Sequence, residues 1–194
     1  MTDIKIVDFE RQYAEAVITL VEANVPNEAS DMETVRNSFE IIADWVDNKL
    51  EDLVKIAVIQ QEKINIDKGL YYVVAIDATN TVVGVSGVYF ITEGYLEKLG
   101  FPCNDLVKQE IETDASVWIG WTAVSKKLQK QGIGKFLIQT ALSKVRCSKY
   151  WVNVKDLMVI ADKDATGFYE KLGMKHIITL RNMCIYSMAI TDSV

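Results

Sequence analysis

The sequence predicts a single α/β domain of the α+β type spanning residues 1–194. Three observations predict it. Runs of strand and helix character follow one another in the order β-α-α-β-β-β-α-β-α-β-β. A two-glycine turn, Gln129-Lys130-Gln131-Gly132-Ile133-Gly134-Lys135, joins an apolar strand-like run over 117–124 to a helix-like run from Phe136 to Cys147. The chain has 194 residues, of which 49% are hydrophobic and 25% charged, the make-up of one ordinary globular domain with a full core.

The elements follow in order. Ile4 to Phe9 reads as a short first strand. Arg11 to Asn24 places Tyr13, Ala16, Val17, Leu20 and Val21 at helical spacing, and Pro26 with Asn27 breaks the pattern. Asp31 has the character of an N-cap for a longer helical run: Val35, Phe39, Ile42, Val46, Leu50, Leu53, Ala57. That run reaches Glu62 or breaks near Asn48. Leu70 to Ile76 and Thr81 to Ile91 are β-branched and aromatic runs around Asp77-Ala78-Thr79-Asn80, which predicts a hairpin. Thr92 to Asp114 is irregular, with Gly94, Gly100, Pro102 and a helical turn at 105–111; ordered connections this long often carry function. After strand 117–124, the glycine turn and its helix come a short buried strand, Leu157 to Ala161, and a helix, Ala165 to Leu172, ended by Gly173. His176 to Leu180 and Cys184 to Ile190 close the domain as two strands.

Composition removes several function classes. No apolar run reaches about 18 residues, so neither a membrane span nor a membrane partner is expected. Met1-Thr2-Asp3-Ile4-Lys5 lacks the basic and apolar regions of a signal peptide. Cys103, Cys147 and Cys184 are odd in number and widely spaced, which reads as free thiols in a reducing cytoplasm. His176 is the single histidine, so no histidine-rich metal centre can form and no metal is expected. His176 itself reads as structural. The net charge of −6 and an isoelectric point near 4.9 argue against a nucleic-acid partner.

The glycine turn carries the chemistry. Glycine lets the backbone approach a ligand closely. The helix that follows directs its first free N–H groups and the positive end of its dipole into the turn, which makes an anion site. Lys126, Lys127, Lys130 and Lys135 gather positive charge there, against the sign of the whole chain. A P-loop reading fails, because Phe136 stands where Ser or Thr is needed and no glycine lies five residues before Gly134. A dinucleotide fingerprint fails as well. Leu137 replaces its third glycine, Ser125 to Gln131 separate the turn from its strand, and only 60 residues follow Gly134.

Gln129-x-x-Gly132-x-Gly134 resembles the Q/R-x-x-G-x-G/A signature of the GNAT superfamily of N-acetyltransferases. Val124 precedes Gln129 by the spacing usual there. Downstream, Asp162-x-x-Ala165-x-x-Phe168-Tyr169-x-x-x-Gly173-Met174 resembles the N-x-x-A-x-x-[FL]-Y-x-x-x-G-[FM] helix of the same superfamily. The two motifs lie in the right order and cover about residues 117–176. The resemblance implies a single N-acyltransferase domain with a mixed, mostly antiparallel sheet and helices on both faces. It implies acetyl-CoA, or another acyl-CoA, as co-substrate, and a small-molecule or peptide amine as acceptor. A homodimer is compatible with it.

The same resemblance implies roles. The pyrophosphate is expected on the backbone N–H groups of Lys130, Gln131, Gly132, Ile133, Gly134 and Lys135, with Gln129 opening the turn. Strand 117–124 is expected to splay from the strand near Leu157–Ala161, so that backbone groups of Thr122, Ala123 and Val124 hold the pantetheine arm and polarise the thioester carbonyl. Tyr169 is expected to protonate the leaving thiolate; the alternative is a Tyr packed with Phe168 in the core. Asp162 stands where relatives carry Asn, and an ionised Asp can only accept hydrogen bonds. The two glutamate positions used as bases by relatives are Trp118 and Leu157 here. Asp114 is then the candidate base, with Glu112, a water chain or self-ionisation of the acceptor as alternatives. Trp118 and Trp121 read as core, or as walls of an acceptor pocket. A catalytically silent acyl-CoA-binding module is the other functional class the sequence allows.

Overall fold

The structure is a computed structural model, and it describes residues 3–24, 33, 35–40, 42–43, 70–89, 116–147, 154–180 and 183–190. Most of the helix expected from Asp31, and all of segment 92–114 with Glu112 and Asp114, lie outside these residues, as does Cys103.

Strand β1 (Lys5–Asp8) pairs antiparallel with β2 (Leu70–Ile76), and β2 with β3 (Val82–Tyr89). The β2–β3 hairpin turns at Asp77. Its carboxylate accepts the Thr79 and Thr81 N–H groups at 2.9 and 3.0 Å, and Asn80 takes the left-handed conformation at φ 63° that Asn tolerates. Next come β4 (Ser116–Ile119), β5 (Ala123–Val124), β6 (Asp156–Asp162), β7 (Lys175–Leu180) and β8 (Met183–Ala189). The sheet order is β1-β2-β3-β4-β6-β8-β7, with β5 pairing on β3. Among the described pairings, only β4 with β6 is parallel. A parallel pair needs a crossover, and helix α2 (Ile133–Arg146) supplies it.

Helices cover both faces. Before α1 (Ala14–Glu22), residues Arg11–Tyr13 form one 3₁₀ turn. Val17, Ile18 and Val21 of α1, with Val35, Phe39 and Ile42 from the helical residues 35–40 and 42–43, pack on Tyr72, Val74, Ile76 and Val85. Leu137, Ile138, Ala141, Leu142 and Val145 of α2 pack on the opposite face, over Val73, Ala75, Val88, Val117, Ile119, Leu157 and Val159. The helices bury one stripe of apolar residues at helical spacing, while the central strands are buried on both faces, successive residues of β2 turning to opposite helix layers. Helix α3 (Thr166–Lys171) joins the α2 face through Tyr169 and Phe168, and Gly173 ends it at φ 89°.

Two boundaries that shape the turn region differ from the sequence expectation. Helix α2 begins at Ile133, three residues before Phe136, because Gly132 in the left-handed region (φ 84°) is its N-cap. The single strand expected over 117–124 is two, β4 and β5, broken at Gly120, Trp121 and Thr122.

Candidate functional site

The break between β4 and β5 opens a fork in the sheet. Pairing between β4 and β6 ends at Ile119↔Val159. β6 runs on to Asp162, paired with β8 alone. β5 meanwhile pairs only with β3, at Gly84↔Val124 and Val85↔Ala123. Two strands that were neighbours therefore diverge, as expected for 117–124 and Leu157–Ala161.

The break is built by tertiary contacts. Tyr72 reaches from β2 across Gly87 and Gly120, where any Cβ would overlap its ring or hydroxyl. Its hydroxyl accepts the Trp121 N–H at 3.1 Å, and Gly120 donates its N–H to the Gly87 carbonyl at 2.8 Å. The Thr122 hydroxyl lies 2.8 Å from that of Ser86 and donates to the Gly120 carbonyl at 3.2 Å. Ser125 donates its N–H to Val83 at 2.8 Å. Ladder alternation then turns the backbone groups of Thr122 and Val124 away from β3, toward the fork.

The motif glutamine closes the other end of β5. Gln129 donates its amide to the Val124 carbonyl at 3.0 Å and to Asn24, at the end of α1, at 3.1 Å. Five residues of spacing thus become a clamp on the strand.

The glycine turn stands beside this clamp. Lys130 is itself left-handed, at φ 63°. The Gly132 carbonyl accepts the Phe136 N–H at 3.0 Å, the first bond of α2, and no side chain caps the helix. The N–H groups of Gly132, Ile133, Gly134 and Lys135 precede that bond and lack an intrahelical partner. A Cβ at Gly132 would meet nothing within 4 Å, so open ground lies over it. Gly134 differs: a Cβ there would stand 3.2 Å from the Phe168 ring. Gln131, Lys126, Lys127, Lys130 and Lys135 are exposed, while the Ile133 side chain is buried in the core.

Tyr169 is buried, 6% exposed, at the fork. Its hydroxyl lies beside that of Thr122. Burial pushes its pKa up to about 12, opposed by the Thr122 hydroxyl and assisted by the negative charge of Asp162. Its ring makes an edge contact with Phe168 at 5.0 Å and stacks on Tyr186 at 6.3 Å. The packing alternative for Tyr169 therefore holds for its ring, while its hydroxyl stands at the mouth of the fork. Phe168 seats on the glycine turn and Tyr169 on Thr122, so two adjacent residues of α3 tie both parts of the site together. Asp162 ends β6 as an exposed residue.

Thr122, Ala123, Val124, the turn 129–135, Asp162 and Tyr169 thus converge on one edge of the fork. Asp114 lies outside the described residues. Sequence reasoning missed Tyr72, Ser86 and Gly120. An isolated glycine inside a strand pattern is the signal that could have found Gly120. Trp118 is fully buried and Trp121 half-buried. His176 bonds Thr179 at 2.7 Å and packs edge-on to Tyr186, consistent with the structural role expected of it. Cys147 and Cys184 are free thiols.

The sequence matches the Acetyltransferase (GNAT) family over residues 36–174. The chain belongs to this family. The GNAT chain is also similar in fold to solved acetyltransferases. The PaiA N-acetyltransferase of Thermoplasma acidophilum, solved with coenzyme A, aligns with TM-score 0.62 at 13% identity, covering 97% of this chain and 99% of that one. A GNAT acetyltransferase of Staphylococcus aureus Mu50 gives 0.58 at 14%, covering 97% and 100%. Ard1 of Thermoplasma volcanium gives 0.57 at 14%, covering 97% and 99%. Among curated proteins no sequence match was found. Among the described residues of the GNAT chain no helix is long and apolar enough to cross a membrane, and no cluster of His, Cys, Asp or Glu could hold a metal ion.

Proposed function

We propose that this protein transfers an acetyl group from acetyl-CoA to a primary amine of a small molecule or peptide, by direct attack of the amine on the thioester. The observation that carries the reading is the Tyr169 hydroxyl at the mouth of the fork, next to Thr122, beside an uncapped helix start over open ground. These features suit a long ligand with an anionic middle and a narrow arm. The N–H groups from Lys130 to Lys135 would bind its pyrophosphate, as an uncapped helix start binds anions generally. Backbone groups of Thr122 and Val124 would hold the arm and orient the thioester carbonyl. CoA in the complex with the Thermoplasma acidophilum neighbour supports this choice of ligand.

Tyr169 then faces the departing sulfur. With a pKa of about 12 it is protonated throughout the neutral range, the correct state for an acid. A thiol has an ordinary pKa of about 8.5, so full transfer to an unperturbed thiolate would be uphill by roughly 5 kcal/mol. The hydroxyl therefore works first as a hydrogen-bond donor to the forming thiolate. Transfer completes as the same desolvation raises the thiolate's own pKa.

No carboxylate occupies the positions used as bases by relatives; Trp118 and Leu157, both buried, stand there. That is the one observation favouring the second reading, a silent acyl-CoA-binding module. Acetyl-CoA turnover read with a thiol-detecting dye over a panel of amines separates the two. Amine-dependent thiol release is expected. CoA binding without release with any amine would favour the silent module.

A further inference from the structure

Ser86 of β3 is fully buried, and with Ser116 it is one of two buried polar residues among those described. Alanine would fill the same place without a hydroxyl to desolvate. The register says where this hydroxyl stands. β5 leaves β3 at Val85↔Ala123 and β4 joins it at Val88↔Ile119, so Ser86 and Gly87 lie opposite the break at 120–122. Two residues earlier, a Cβ at Gly84 would meet Leu137 of α2 at 2.9 Å, and two residues later Val88 packs in the core under α2. Alternation therefore turns Ser86 to that same face. Thr122 shares it, because Ala123 belongs to the α1 side and Val124 to the α2 side. Tyr169 packs there too. α3 and β5 meet over the glycine turn, where a Cβ at Gly134 would stand 3.2 Å from Phe168 and 3.7 Å from Val124.

Three hydroxyls thus stand in a row on one face. Ser86 is 2.8 Å from Thr122, and Thr122 lies beside Tyr169. A hydroxyl has one proton and two lone pairs. At rest Thr122 gives its proton to the Gly120 carbonyl, across a long 3.2 Å. Ser86 is then the donor in the shorter contact. As the C–S bond of the thioester breaks, the sulfur takes the Tyr169 proton and negative charge collects on the phenolic oxygen. Thr122 can turn its proton from the Gly120 carbonyl to that oxygen while Ser86 goes on donating to Thr122. Aligned hydroxyls of this kind polarise one another. The proton that the amine sheds on becoming an amide passes to solvent, and solvent reprotonates Tyr169 once CoA leaves the fork.

We propose that Ser86 is a positioning residue for the transfer: it is the fixed donor end of a Ser86–Thr122–Tyr169 hydroxyl chain that supports Tyr169 as it gives up its proton. This rests on the transfer reading above. It differs from a packing role in acting through Tyr169.

The test follows thiol release from acetyl-CoA, with phenylalaninamide as the probe amine, in Ser86→Ala, Tyr169→Phe and the double variant. Ser86→Ala is expected to lower kcat about fivefold, the worth of one ordinary hydrogen bond, with KM for acetyl-CoA unchanged. In the Tyr169→Phe background the same substitution is expected to cost nothing further, since the group it acts on is gone. Ser86→Cys, close in volume and a weak donor, takes the place of Ser86→Ala if that variant does not fold, with a similar loss expected. Full kcat in the Ser86 variant, an equal loss in both backgrounds, or a raised KM for acetyl-CoA with kcat intact overturns the proposal and leaves the transfer reading standing. Absence of thiol release with every amine of the panel sinks the transfer reading, and this role with it.

Discussion

Replacing Tyr169 by phenylalanine removes one oxygen from a buried ring and leaves the packing in place. The edge contact with Phe168 and the stack on Tyr186 need no hydroxyl. Thr122 keeps Ser86 at 2.8 Å and the Gly120 carbonyl at 3.2 Å, so no buried group is orphaned. The stability cost is then at most that of one net hydrogen bond, about 1 kcal/mol. Loss of an acid from the transition state is larger, about 10²-fold in kcat or about 2.7 kcal/mol. The two effects separate cleanly. Calorimetry should show CoA affinity little changed, and thiol-release kinetics should show the hundredfold loss. The pKa adds an independent readout. Its folded value of about 12 lies above the ordinary 10, so the neutral hydroxyl's contribution to stability is complete below pH 10 and is lost as pH rises toward 12. The total is on the order of 3 kcal/mol. Tyr169→Phe should flatten that part of the alkaline stability profile. Normal kcat in this variant at all pH values would refute the assignment.

Four further outcomes follow, the first three from the geometry. Gly132→Ala should cost about 1–2 kcal/mol for its left-handed backbone and weaken CoA binding more than tenfold, with no clash inside the protein; unchanged binding by calorimetry would remove the turn from the site. Gly134→Val should weaken CoA binding too but also lower the melting temperature, because its Cβ presses on Phe168. Gly120→Ala should destabilise by about 1–3 kcal/mol through overlap with the Tyr72 hydroxyl and reduce turnover, and a wild-type melt would show that Tyr72 does not fix the break. For an α-amine acceptor, kcat/KM should rise with pH to the amine's own pKa and then level, with Asp114→Asn changing little; a break well below that pKa, abolished in the variant, would make Asp114 the base.

The fold was legible because its signals are local. The Asp77 turn, the helical spacing of Val17 and Val21, the Gly132-x-Gly134 turn and the Phe168-Tyr169-x-x-x-Gly173 helix each announce themselves within a few residues. The shape of the site was less so. Trp121 and Thr122 have strand-forming side chains, so 117–124 reads as one strand. What breaks it is Tyr72, some fifty residues earlier, lying across Gly87 and Gly120. Gln129 reads in sequence as the opening of the anion turn, yet its amide is held by Val124 and Asn24, partners that only the folded sheet brings near.

The central claim is that the fork passes an acetyl group from CoA to an amine. Its most direct test is to mix the protein with acetyl-CoA carrying ¹³C in the acetyl group and phenylalaninamide at pH 8, then follow the label by NMR and mass spectrometry. Formation of N-acetylphenylalaninamide, one equivalent for each thiol released and reduced about a hundredfold in Tyr169→Phe, is the expected result. Thiol release as labelled acetate with no amide, or CoA bound with the label unmoved across the amine panel, would contradict it.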